Sequence, residues 1–435
     1  PDKKSFYLIS GNNAKPTERA PTSPVPAIWG EDHILPRMPD GRGHNVGVMA
    51  PGGIIYRISL DGKQFEAVAS GFRNIFDGAF DRDGELFTYD ADMEYDYNTS
   101  WYRPTRVNHV VSGAEFGWRN GAGKRPEFYP DNLPATLNIG PGSPTGVTMG
   151  YGAKFPHKYQ NALYVLDWSW GKLYAVHLQP QGASYTATKE EFVTGAPLPI
   201  TDAIVHPQDG AMYFTIGGRR VQSGVYRVTY TGTEDTSPAP HVPNNSELRT
   251  LRHRLEAFHG RQDSTAVDTA WPYLGHADRF IRWAARTAVE HQPMAQWRDR
   301  ALTEKDPAIQ LEALMALARV GGICPIHRQP TDPPVDTALR DKILGAFTAM
   351  DFSQLNHEQQ LTHVRTVEIV LNRFGKPDDA GVAKLLGQLD PQFPAKSFEL
   401  NWELCETLGF LQSPTVAAKA LALMASQGPR FRGKV

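Results

Sequence analysis

The chain has 435 residues, with 45 Lys and Arg against 47 Asp and Glu for a formal charge of −2. That balance excludes the strong basic excess of a nucleic-acid binder, and no apolar run is long enough to span a bilayer as a helix. Two cysteines far apart, Cys324 and Cys405, make neither a disulfide framework nor a zinc site, and Cys324-Pro-Ile-His327 lacks the second cysteine of a haem attachment motif.

Residues 1–231 carry short β-branched and aromatic runs between turn signals, as in GIIYRISLDG (53–62), ALYVLDWSWG (162–171), GKLYAVHLQPQG (171–182) and SGVYRVTYTG (223–232). Each reads as a strand closed by a tight turn such as Asp-Gly or Gln-Gly. Residues 52–90 align with 170–218 as an internal repeat that ends in an Asp-Gly hairpin before an aromatic strand. A recurring four-strand unit of this kind predicts propeller blades, roughly thirteen strands in three to four blades. The N-terminus falls inside a strand pattern. The expectation is a partial β-propeller, about six-bladed when complete, with blades missing upstream.

The segment Gly71 to Gly121 concentrates the polar groups. Arg73-Asn74 follows Gly71 at a strand-to-turn position, where the planar fork of arginine suits carboxylates and quinone oxygens. Asp90, Asp92, Glu94 and Asp96 alternate, so that on a strand all four would share one face. Such a row calls either for calcium or for pairing with Arg73, Arg103 and Arg106. Tyr95 and Trp101 stand where an EF-hand needs Gly and Glu. Asp90 and Asp92, which directly follow an inner strand, are the two that face the axis. His44 lies in a glycine-rich stretch that a ligand could approach, and Trp101, Trp118, Trp168 and Trp170 read as blade core or as stacking walls at the funnel mouth. Arg219-Arg220, in TIGGRRVQSG, is either an anion clamp or a solvated hairpin tip. No Ser-His-Asp order or phosphate-cradling loop is visible.

Residues 232–245 are polar and proline-rich and read as a linker. From 246 to 435 the period becomes 3.6. Asp278-x-x-Ile281 recurs 28 residues later as Asp306-x-x-Ile309, and Asp306-Pro307 is an N-cap followed by Pro at N1. Further helices are predicted at 336–349, 356–374, 378–389, 397–411 and 413–427, the last opened by Ser413-Pro414. The fold class is therefore multidomain β + α, a partial propeller followed by a HEAT-like α-solenoid.

The Arg-Asn pair, the NHVVSGAEFGW run (108–118) and the Gly-Gly-Arg-Arg hairpin resemble the propeller of glucose/sorbosone dehydrogenase-like quinoproteins. ILPRMPDGRGHNVGVMAPGG, PGSPTGVTMGYGAKFP and FPAKSFELNWELCETLG extend the resemblance to planctomycete-type membrane-bound dehydrogenases, in which propeller and HEAT repeats precede a c-type cytochrome domain. The resemblance implies pyrroloquinoline quinone (PQQ) on Arg73 and Asn74, with Arg219 or Arg220 joining it, and calcium (Ca2+) near Asp90 and Asp92. It implies a secreted or periplasmic protein that oxidises a small-molecule sugar or alcohol. It places the catalytic histidine upstream of this chain, so no catalytic residue is named, and it puts haem c in a C-terminal domain absent here. Two other readings stay open. One is a non-enzymatic propeller and solenoid scaffold that binds carbohydrate or a protein partner; the other is a hydrolase or lactonase centred on calcium.

Overall fold

The computed structural model describes residues 4–14, 18–38, 40–94 and 102–427; Tyr95, Asp96 and Trp101 lie outside them. Strands β1 (Ser5–Ser10), β2 (Gly53–Ser59) and β3 (Phe65–Phe72) form a first sheet, and β4 (Gly78–Phe80), β5 (Leu86–Asp90) and β6 (Thr105–Val110) a second. β7 (Ala114–Glu115) returns to the first sheet, parallel to β3, and β8 (Leu137–Gly140) completes the second beside β6. The third sheet holds β9 (Pro144–Met149), β10 (Leu163–Asp167), β11 (Lys172–Gln181) and β12 (Ser184–Thr194) as an antiparallel meander. The fourth has β13 (Ile200–Val205), β14 (Met212–Gly218) and β15 (Val221–Val228).

The two-residue period of a strand sends alternate side chains to opposite faces, and in β5, β6 and β10 both faces are dry. In β10, Leu163 and Val165 join Phe87, Tyr89 and Val107 of the second sheet, whereas Tyr164 and Leu166 join Ile200, Ala203 and Phe214 of the fourth. Ile55, Ala69 and Phe72 likewise meet Leu86 and Val110 between the first and second sheets. Successive sheets therefore stack flank to flank, and β4, β9 and β13 form the row of contacting inner strands. Among the described residues no core cluster joins the fourth sheet to the first. The Asp-Gly turns form as their chemistry requires: Gly84 takes φ +84°, and Asp81 Oδ1 accepts from Asp83 N and Glu85 N across that turn.

A short helix α1 (His157–Gln160) precedes β10. The helical half contains α2 (Glu247–Glu256), α3 (Ala266–Ala270), α4 (Arg279–Glu290), α5 (Arg298–Thr303), α6 (Pro307–Gly321), α7 (Thr337–Ala349), α8 (His357–Phe374), α9 (Asp379–Leu389), α10 (Phe398–Phe410) and α11 (Val416–Gln427). The 28-residue repeat reappears as matched caps. Asp278 Oδ1 accepts from Phe280 N at 2.8 Å and Ile281 N at 3.3 Å, and Asp306 Oδ1 accepts from Ala308 N and Ile309 N at the same distances. The last helix differs from expectation. It begins at Val416; the Ser413 hydroxyl donates to Asp390 and accepts from Thr415 N at 3.2 Å, ahead of the first turn. Helices α2, α4, α6, α8 and α10 lie side by side, with α5, α7 and α9 packed behind them.

The segment 232–245 is held against the β half. Gln160 Nε2 donates to Thr236 O and Ser237 O, its Oε1 accepts from Ala239 N, and Arg82 donates to Ala239 O. The two halves meet through buried ions. Glu85 accepts from Arg249 Nε at 2.6 Å, Arg252 Nη2 at 2.6 Å, His253 Nε2 at 3.0 Å and, in its own half, His109 Nε2 at 2.8 Å. Asp32 and Asp131 receive Arg373 and Arg365 from α8.

Candidate functional site

The site lies at the end of the sheets where β3 and β5 finish. Gly71 closes β3 at φ +77°, and a Cβ there would overlap the Glu115 carboxylate. This positive φ turns the chain so that Arg73 N and Asn74 N both donate to Asp90 Oδ1, at 3.0 and 3.1 Å. The same oxygen accepts from Ala91 N, while Oδ2 accepts from Lys124 Nζ at 3.0 Å and from Arg106 Nη2 at 3.4 Å. Burial opposes the charge of Asp90, but Lys124 and Arg106 outweigh it and hold the acid below its usual range. Burial and Arg106 bring Lys124 down to about 7, against the pull of Asp90.

Asp90 thus fixes the turn that presents Arg73. The guanidinium reaches Glu94 Oε2 at 3.4 Å through Nη2, and its Nε is buried without a partner among the described residues. Around it, Asp40, His44, Asn45, Met93, Glu94, Trp118 and Asn120 complete a small cleft. Trp118 is 1% exposed, and among the described residues its indole N–H also has no acceptor. Two buried donors without partners in one cleft are uncommon in a folded chain, where such groups are nearly always satisfied. They suit a ligand that brings acceptor oxygens. Glu94, on the exposed side, would accept from a ligand hydroxyl.

Asp90, Asp92 and Glu94 do not share one strand face. β5 ends at Asp90, and among the described residues between it and β6 Met93 makes a ladder contact, to Arg103. Asp90 is buried and already paired, Asp92 is half-buried, Glu94 is exposed, and Asp96 lies outside the described residues. Asp92 Oδ2 accepts from Gly142 N at 3.3 Å; burial first, then the charge of Glu94, push the acid up to about 6. Among the described residues no three His, Cys, Asp or Glu side chains gather where they could hold a metal ion. Lys124 and Arg106 already neutralise Asp90, so of the two acids expected near calcium only Asp92 is without a paired cation among the described residues.

Asn74 is exposed, and its carboxamide leans over Gly11 instead of lining the cleft. Arg219 and Arg220 form the exposed tip of the β14–β15 hairpin, Arg220 at φ +60°; neither lines the cleft or bonds to a described residue. Trp168 ties that hairpin to the β10–β11 turn, its indole N–H donating to Gly217 O at 2.7 Å. Sequence reasoning missed Asn45, Asn120 and Lys124. Asn120 follows Trp118 by two residues and donates to Asn45 O, and Lys124 lies in a glycine-rich GAGK run that brings a cation against Asp90.

No family model matches the chain, and no curated protein sequence matches it. Solved structures similar to it include a candidate oxidoreductase (glucose dehydrogenase) from Thermus thermophilus, 21% identical, over 40% of this chain and 55% of that one, at a TM-score of 0.32. The PQQ-bound form of an aldose sugar dehydrogenase from Streptomyces coelicolor is 14% identical over 40% and 51% of the two chains, at 0.30. A glucose dehydrogenase is 15% identical over 41% and 55%, at 0.34. The matched part spans about half the length of each of these structures.

Proposed function

We propose that this chain is part of a secreted or periplasmic, quinoprotein-like dehydrogenase that oxidises a sugar or alcohol, and that the cleft beside Arg73 is its ligand site. The observation that carries this reading is that two residues lining one cleft, Arg73 and Trp118, each have a buried donor, Nε and Nε1, without a partner among the described residues. Within the same reading, residues 1–231 are part of a propeller and 246–435 a HEAT-like repeat domain. Electrons from the reaction would pass to a c-type cytochrome.

PQQ, where bound, would supply the two-electron acceptor for the alcohol's hydride. Arg73 and Trp118 are the donors that would hold its oxygens. Asn74 would have to turn away from Gly11 to join them, and Arg219 and Arg220 would have to fold in from the hairpin tip. Arg73 and Trp118 orient acceptor oxygens, Glu94 takes a hydroxyl hydrogen, and Asp92 holds or releases a proton near neutral pH. Calcium near Asp92 is assigned no step.

The test is dye reduction by the chain supplied with PQQ, across neutral sugars and primary alcohols, alongside calorimetric titration of the same compounds. Oxidation of a sugar or alcohol that falls at least about tenfold in Arg73→Leu supports the dehydrogenase. Binding of sugars without turnover supports the carbohydrate-binding scaffold, for which the same donors serve. Neither binding nor turnover sinks both.

A further inference from the structure

The cleft beside Arg73 is shut. Its free volume is about 10 Å³, room for about one water molecule and far short of a sugar ring or a quinone. Three buried polar atoms of its lining residues, Arg73 Nε, Trp118 Nε1 and Asn45 Oδ1, have no partner among the described residues. Leaving such atoms dry works against the shut state. A ligand reaches Arg73 and Trp118 only when one wall of the cleft moves.

Three of the lining residues are held from behind. Arg73 N is bonded to Asp90, Trp118 N donates to Gly71 O at 2.8 Å, and Met93 exchanges both backbone hydrogen bonds with Arg103. The remaining wall is the segment 40–48, which brings Asp40, His44 and Asn45 to the cleft. Its flanks are anchored: Met38 N donates to Gly121 O at 3.0 Å and Ala50 N to Glu31 Oε1 at 2.7 Å. Between these anchors the segment makes turns within itself. Asp40 accepts from Arg42 N at 2.7 Å and from Gly43 N at 2.9 Å, and Asn45 O accepts from Val48 N at 3.0 Å. Gly43 and Gly47 take φ +80° and +83°, with nothing within 4 Å of where a Cβ would stand. They bracket His44 and Val46, both exposed, and a glycine in open space changes its backbone angles at little cost. A hydrogen bond ties this wall across the cleft, from Asn120 Nδ2 to Asn45 O. Asn120 is buried, and its backbone carbonyl accepts from Arg37 Nε at 2.8 Å, so the donor is fixed in place.

We infer that residues 40–48 are a latched flap, held shut by Asn120 and hinged at Gly43 and Gly47, whose opening admits the cleft's ligand to Arg73 and Trp118. This rests on the cleft being the ligand site, and it adds how that site is reached. The ligand that gains from opening carries acceptor oxygens for the two donors, as a quinone or a sugar does. Because the shut cleft has no room for it, such a ligand binds the open flap and shifts the population toward it. No covalent step is involved.

The exposed Arg42–Gly43 bond lies in the flap and suits trypsin, so the rate at which it is cut in the full chain reports the open population. Cutting after buried Arg252, which requires the two halves to come apart, is followed in the same digests as a control for unfolding. Asn120→Ala should raise cutting at Arg42 by at least about fivefold with no change at Arg252, the effect of losing one hydrogen bond. Asn120→Asp, which keeps the side chain's size but offers no N–H, should do the same. Saturating PQQ or D-glucose, whichever calorimetry shows to bind, should raise wild-type cutting at Arg42 by a similar factor. The flap is overturned if both variants are cut at the wild-type rate, if Arg252 is cut in step with Arg42, or if a bound compound leaves the Arg42 bond unchanged or protects it. Binding that Arg73→Leu abolishes, without change at Arg42, keeps the site and removes the flap. Where neither compound binds, the ligand reading of the cleft falls and the two Asn120 variants alone decide the flap.

Discussion

Asp92 differs from Asp90 only in what surrounds it. Asp90 meets two cations and three backbone N–H groups, whereas Asp92 meets one N–H and the neighbouring charge of Glu94. The sign for stability follows from linkage. Asp92 rises to about 6 on folding, so the native state keeps a proton that the unfolded chain loses near pH 4. Its contribution is present below the unfolded value and fades as pH climbs toward 6, by roughly 1–2 kcal/mol once its partial exposure is discounted. Asp92→Asn should flatten that part of the melting-temperature profile between pH 4 and 6; an unchanged slope would show that Asp92 is not the group responsible. Arg73 and Asn74 were legible as a candidate pair because an Arg-Asn after a glycine is a readable pattern. That only Arg73 enters the cleft was not legible, since Asn74's course depends on Gly11, far away in sequence.

At the scale of elements, periodicity was a sound guide where a segment's partner is its own kind. The helices at 336–349, 356–374 and 378–389 begin at 337, 357 and 379 in the structure, because Asp336, Asn356 and Asp378 cap them through their side chains. Asp278 and Asp306 share a capping geometry but not a role. Asp278 Oδ2 also accepts from Ala183 N in the β11–β12 turn, at 2.8 Å. Asp306→Ala should therefore cost about 1 kcal/mol in urea unfolding, the usual value of an N-cap. Asp278→Ala should cost about 2–3 kcal/mol, because it also strands a buried N–H. Equal losses would show that the contact with the β half contributes nothing. Over its described part, Asp90 to Glu94, the row of carboxylates is not a strand face. The strand stops at Asp90 because its carboxylate turns back to the 73–74 backbone, and alternation has no meaning beyond a strand's end.

At the scale of the whole molecule, the halves are bound by charge as much as by apolar packing. Glu85 is a single carboxylate serving four donors from α2 and β6, and Arg252 beside it is 1% exposed. Glu85→Ala should cost about 3–5 kcal/mol, since it leaves buried cations uncompensated. The same variant should open the 232–245 segment to limited proteolysis; an undisturbed digest would argue that the two halves hold together without it. A second charged region lies between α8, α10 and the 125–133 loop. Glu403 is buried with neither oxygen partnered, among Glu368, Glu406, Arg365 and Asp131, and burial followed by Glu368 raises it well above its ordinary value. A raised carboxyl stabilises most at acid pH and loses its contribution as pH rises from the unfolded value toward the folded one. Wild-type stability should accordingly fall from pH 5 to pH 8, and Glu403→Gln should lessen the fall in denaturant titrations at the two pH values.

By itself the sequence determined which stretches alternate with period two and which with 3.6, where glycine must turn a hairpin, and which acids cap helices. These are decided by interactions within a few residues of each position. It also marked Arg73 and His44 as candidate ligand contacts, and left Trp118 and Trp170 open between blade core and stacking walls. Only the tertiary structure decided that Asp90 is spent on Lys124 and Arg106, that Arg219 and Arg220 stay at a hairpin tip, and that the polar faces of α4 and α8 are buried against the β half. Each of those outcomes depends on a charge brought close by chain that is distant in sequence, and on water being excluded where the two meet. Neither can be read from local pattern.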